Sequence, residues 1–103
     1  MATNKIEIYQ NNSRSIGCYI YGGLDLSSFT PYLTVKRSMS DASPVIEKIG
    51  MVTDPSTTVT FDLTPSDTSL AFGDYPYDIT IENESNIYTV VKDILSIING
   101  VRY

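Results

Sequence analysis

Apolar and polar positions alternate through most of this chain with the two-residue period of half-buried strands. Over residues 5–9, Ile6 and Ile8 share one face, and Lys5, Glu7 and Tyr9 the other. Residues 15–21 repeat the pattern, with Ile16, Cys18 and Ile20 opposite Tyr19 and Tyr21. Over 32–39, Leu33 and Val35 oppose Thr34, Lys36 and Ser38, and 45–50 is a short apolar segment that includes Glu47 and Lys48. The clearest strand is Thr58–Leu63, with Val59, Phe61 and Leu63 inward. Residues 75–83 alternate strictly, Tyr75, Tyr77, Ile79 and Ile81 against Asp74, Asp78, Thr80 and Glu82, and 87–91 return after Glu84-Ser85-Asn86. Residues 93–98 fit a buried strand or one helix face; their shortness and β-branched content favour strand. Asn11-Asn12-Ser13, Gly22-Gly23, the loop over 40–44 and Asp54-Pro55-Ser56 supply the turns. Seven or eight short strands spaced this way predict one all-β domain over 1–103, a sandwich or barrel.

The stretch over 63–79 narrows that choice. Leu63 ends a strand, and Thr64-Pro65-Ser66-Asp67-Thr68 reads as a helix start, predicting one short helical turn near 65–71. Gly73 then permits a sharp entry into a strand that begins with Tyr75. This is the layout of a tyrosine corner, in which a tyrosine hydroxyl bonds back to the backbone of the crossing between two sheets. Tyr75 is the corner residue, with Gly73 and Asp67 shaping the approach. Tyr77, two residues on, takes the inward position that a disulfide cysteine holds in antibody domains. No bridge can form here, so packing of Tyr77, Val35, Phe61 and Ile79 must replace it. The expected fold is an immunoglobulin-like antiparallel β-sandwich.

Composition removes most chemistry. Twelve acids against seven bases give a net charge of −5, which argues against nucleic acid as a partner. Histidine is absent and Cys18 is the single cysteine, so His-dependent triads, most metal sites and internal disulfides are excluded. No apolar run reaches the roughly 18 residues of a membrane span, and no signal peptide opens the chain. Eight of 11 aromatic rings are tyrosines; this suits both a pleated half-buried surface and a wet protein interface.

The run Leu-Thr-Pro-x-Asp-Thr over 63–68, then Gly-x-Tyr-x-Tyr-Asp-Ile over 73–79 and Tyr-Thr-Val over 88–90, resembles small immunoglobulin-like modules of tailed-bacteriophage virion proteins. These include baseplate-upper-protein N-terminal domains and capsid accessory proteins. Asp25-Leu26-Ser27 leading into Tyr32-Leu33-Thr34-Val35-Lys36, and a last strand closing on Val101-Arg102, extend the similarity over 16–103. Where such modules place a glycine after Tyr-Thr-Val, this chain has Lys92-Asp93. The resemblance implies structural, non-enzymatic virion work and no catalytic residues or cofactors.

Other features take ordinary roles. Asp74, Asp78 and Glu82 fall on one strand face about 7 Å per two residues apart, too spread to converge on a cation without loops, and read as a solvated acidic face. Cys18 between Ile16 and Ile20 is core filler, consistent with assembly in a reducing cytosol. Gly22-Gly23 lacks the context of a phosphate loop. Lys36, Arg37 and Lys48 form a small basic cluster, solvated or a patch for an acidic partner. Tyr9, Tyr19 and Tyr21 all face away from the core, either as one contact patch or covered by flanking loops or the C-terminal tail. With Lys36 they are the candidate partner contacts.

The expected function is a bacteriophage capsid auxiliary or decoration protein, folded in the host bacterial cytoplasm and resident in the virion. Its partners would be the major capsid protein, tail and baseplate proteins, or further copies of itself, with no nucleic acid or membrane. A tail or baseplate adaptor is the alternative within the same family. A carbohydrate-binding or adhesin sandwich is the alternative from another class, though sugar platforms lean on tryptophan and there is none. Pairing of the N-terminal strand is open, including addition to a neighbouring chain.

Overall fold

Eight strands and one 3-10 turn build the domain in the computed structural model, which describes residues 5–20, 26–38, 40, 43–53 and 58–99. The strands are β1 (Ile6–Tyr9), β2 (Arg14–Tyr19), β3 (Thr30–Val35), β4 (Ile46–Ile49), β5 (Met51–Thr53), β6 (Thr58–Leu63), β7 (Gly73–Glu82) and β8 (Ile87–Ile98). They form a five-stranded sheet in the order β1-β8-β7-β3-β4 and a three-stranded sheet in the order β2-β6-β5. The chain changes sheet four times, between β1 and β2, β2 and β3, β4 and β5, and β6 and β7. This is the immunoglobulin arrangement: β2-β6-β5 correspond to strands B, E and D, and β8-β7-β3-β4 to G, F, C and C′.

The period-2 pattern decides which side chains meet between the sheets. Val59, Phe61 and Leu63 of β6 face Leu33 and Val35 of β3 and Tyr75, Tyr77, Ile79 and Ile81 of β7, all buried. Ile8, Ile16, Ile46, Leu95 and Ile97 complete the core, and Leu26 closes it from the 3-10 turn Leu26–Ser28. Cys18 and Ile20 pack against this core partly buried.

Several expectations change. The helical turn expected near 65–71 is a short run of hydrogen-bonded turns in which the amides of Asp67 and Thr68 bond to the Thr64 carbonyl and that of Ser69 to the Ser66 carbonyl; the 3-10 turn lies at Leu26–Ser28. The sandwich is not wholly antiparallel, because β1 runs parallel to β8 within the same chain, pairing Ile6 with Leu95 and Ile8 with Ile97. Segments 87–91 and 93–98 are one strand with no turn at Lys92-Asp93: Lys92 lies opposite Asp78, and Asp93 opposite Tyr77. A bulge between Ile79 and Thr80 absorbs the extra residue on β8. β3 stops at Val35 rather than at 39.

The apolar segment at 45–50 is also followed by a strand that the pattern does not announce. Gly50 carries the chain from β4 in one sheet to β5 in the other. A Cβ there would sit 2.6 Å from the Thr60 carbonyl oxygen and 2.6 Å from the Phe61 ring, so only glycine passes. The Gly22-Gly23 and Asp54-Pro55-Ser56 turns, Tyr21, Asp25, Asp41, Ala42 and the closing Val101-Arg102 lie outside the described residues.

Candidate interaction surface

The crossing between β6 and β7 holds the two sheets together. Thr64 and Asp67 cap each other: the Thr64 amide and hydroxyl donate to Asp67 Oδ2 at 2.8 and 3.0 Å, and the Asp67 amide donates back to Thr64 Oγ1. Gly73, at φ 147°, turns the chain into β7 in a conformation that side chains resist. The Tyr75 hydroxyl then donates to the Ala71 carbonyl at 2.7 Å, four residues back. That bond defines a tyrosine corner.

The crossing is also stitched to the β1–β2 turn, a link with no sequence signal except turn-forming asparagines. Asn11 adopts φ 64°, a left-handed state that asparagine tolerates. Its amide donates to the Thr68 carbonyl, the fully buried Thr68 hydroxyl donates to the Asn12 carbonyl at 2.8 Å, and Gln10 Nε2 donates to the Leu70 carbonyl.

Tyr77 stands inward as expected, 3% exposed. Burial, with the nearby Asp93 carboxylate and Cys18, pushes its hydroxyl pKa up to about 12. Burial likewise raises the Cys18 thiol, which makes it a poorer nucleophile.

The remaining candidates do not assemble as one site. Tyr9 is half exposed on the outer face of the five-stranded sheet, across from Ile98, whereas Tyr19 is half exposed on the outer face of the three-stranded sheet, across from Thr58. Successive sheets face apart, so the two rings cannot share a patch. The basic cluster divides as well: Lys48 Nζ lies 2.8 Å from Asp67 Oδ2, tying edge strand β4 to the corner. Lys36 stays on the five-stranded sheet's outer side, beside Pro76, Asp78 and Lys92 around a dimple of about 50 Å³.

The acidic face is divided among separate neighbours. Asp74 accepts from the buried Ser96 hydroxyl, Asp78 lies opposite Lys92, and Glu82 accepts from the Tyr32 hydroxyl. Tyr32 titrates high because of burial, the Glu82 charge and bond, and the Glu47 charge. Among the described residues no three carboxylates or thiols gather as a metal site would require, and no helix is long and apolar enough to cross a membrane.

One surface does gather apolar groups. On the outer face of the five-stranded sheet, register places Tyr9 against Ile98 and Pro76 against Ile94, with the half-exposed Phe72 just before β7. Exposed Glu7 and Asp74 flank the buried Ser96 in the row between them. Phe72 and the two isoleucines of β8 were not singled out in the sequence, because alternation assigns residues 93–98 to the core without saying which share the outer side. Compared with known proteins, the chain matches no family model and no curated protein.

Proposed function

We propose that this domain is a non-enzymatic structural module of a tailed-bacteriophage virion, a capsid auxiliary protein that binds the coat lattice through surface complementarity. What supports this reading is the stretch over 63–79: the residues that carry the resemblance to phage modules fold as a hydrogen-bonded tyrosine corner in an immunoglobulin-topology sandwich. The docking surface is the outer side of the five-stranded sheet around Tyr9, Phe72, Pro76, Ile94 and Ile98. Half-exposed rings beside half-buried aliphatics, with a polar row between, have the character of an interface centre. Repetition on a lattice would turn weak single contacts into stable decoration.

A tail or baseplate adaptor would use the same surface. A carbohydrate-binding role would instead use the open groove of about 580 Å³ at the β7–β8 hairpin. Its described lining residues are Ser28, Thr30, Glu82, Asn83, Glu84 and Ser85, with no aromatic platform among them. The protein-contact reading is therefore preferred.

Mass spectrometry of gradient-purified parent particles tests the proposal. The chain is expected in many copies per particle and released when particles are disassembled. Its absence from washed, intact particles overturns the virion assignment. Position by cryo-electron microscopy separates capsid from tail.

A further inference from the structure

We infer that the docking face of the five-stranded sheet takes an arginine of the partner protein, seated above Ser96 between Glu7 and Asp74. The inference rests on the docking surface proposed above and names the chemistry that surface recognises. β8 lies between β1 and β7, and register sets Glu7 on one side of Ser96 and Asp74 on the other. Ser96 is 3% exposed while both acids are exposed, so two carboxylates stand over a low serine in the middle of the face. Their strands are two spacings apart, about 10 Å. The Ser96 hydroxyl donates to Asp74 Oδ1, which orients that carboxylate and leaves acceptor sites on it for a donor from outside.

The neighbours decide what kind of donor fits. One row along the strands, about 7 Å away, Ile98 lies against Tyr9, and the row on the other side pairs Ile94 with Pro76. Each acid also has a half-exposed ring two positions from it in the chain, Tyr9 beyond Glu7 and Phe72 before Asp74. A cation between the acids is therefore bordered by apolar surface. An ammonium is strongly hydrated and acts as a point charge, whereas a guanidinium is weakly hydrated, lies flat on rings and spreads five donors over a plane. Arginine matches two separated carboxylates beside rings. In an extended segment, apolar side chains two residues before and after it fall on the Ile98 and Ile94 rows. The net charge of −5 favours approach of such a segment.

The probes are three end-capped seven-residue peptides, Thr-x-Thr-Arg-Thr-x-Thr with x as Val, Leu or Phe, titrated into the ¹⁵N-labelled domain. At least one is expected to give saturable amide shifts at residues 7–9, 74 and 94–98, with those of β6 unmoved. Citrulline in place of the arginine, Glu7→Gln or Asp74→Asn should each weaken binding by about tenfold, and lysine in its place by a smaller factor. The Glu7→Gln domain should keep the wild-type melting temperature, which separates lost charge from lost fold. No saturable shift with any of the three peptides, shifts confined to other strands, or equal binding of the citrulline or lysine peptide overturns the inference. Concentration-dependent shifts at the same residues without peptide would assign the face to a second copy and overturn the choice of a partner's arginine. A failed titration with the chain present in washed particles overturns the arginine contact alone. A successful one with the chain absent from particles overturns the virion assignment alone.

Discussion

Tyr75 and Tyr77 lie two residues apart on one face of β7, yet their hydroxyls do different work. The Tyr75 hydroxyl bonds to Ala71, and Tyr75→Phe keeps the ring while leaving that carbonyl without its donor. A loss of about 0.5–1.5 kcal/mol is expected, read as a lower urea midpoint at unchanged m-value. Tyr77 is stabilised by staying neutral. Its folded pKa of about 12 lies above the ordinary 10, so its contribution is complete below pH 10 and falls away as pH rises toward 12. Absorbance titration should show a tyrosine ionising well above the ordinary value of 10, and Tyr77→Phe should remove that late step.

At the scale of elements, edge strand β4 is held by the Lys48–Asp67 pair. Burial alone would raise the Asp67 pKa, but the bonds from Lys48 and Thr64 and the Lys48 charge outweigh it and leave it below 3.8. The stabilisation is therefore present above pH 3.8 and is lost as pH falls through the lower folded value. The pair is partly exposed, so Lys48→Met should cost only about 0.2–1 kcal/mol at neutral pH. The difference in urea midpoint between wild type and Asp67→Asn should close as pH drops below 3.8. The two glycines of the sheet crossings fail differently. Gly50→Ala meets the Thr60 backbone and should cost about 1–3 kcal/mol through displacement of β5. Gly73→Ala has open space around it and suffers only from its φ of 147°, a strain of about 1–3 kcal/mol. Melting curves measure both, and loss of β5 amide protection should accompany the first alone. These elements also separate what the sequence discloses from what it hides. Thr58–Leu63 and the inward tyrosines of β7 are legible because one buried face imposes strict alternation. β5 is hidden because three residues carry no period and the need for glycine at position 50 comes from Phe61 in another strand. β8 divides into two on paper because Lys92-Asp93 interrupts its apolar run, and alternation is broken again at Val90, the extra residue of a bulge in β8 itself. The tyrosines could be sorted into inward and outward positions, but which sheet each outward ring decorates depends on pairing between distant strands. Tyr9 and Tyr19 thus seem neighbours by count and lie on opposite faces.

For the molecule as a whole, two sheets are held by packing, one corner and one stitched turn, with Cys18 as the single thiol. The melting temperature should be the same with and without reductant. Cys18 should react slowly with iodoacetamide in the native state and rapidly in urea, since burial raises its pKa.

The parallel pairing of β1 with β8 has a consequence for how the protein is made. Ile6 meets Leu95 across that ladder, so 89 residues of synthesis separate the two partners. At about 5–20 residues per second, the opening strand waits roughly 4–18 seconds for its mate to leave the ribosome. During that interval Ile6 and Ile8 remain uncovered on a nascent chain. The interval is when a chaperone would have most to hold, and ribosomes stalled short of β8 should display a protease-sensitive amino-terminal region.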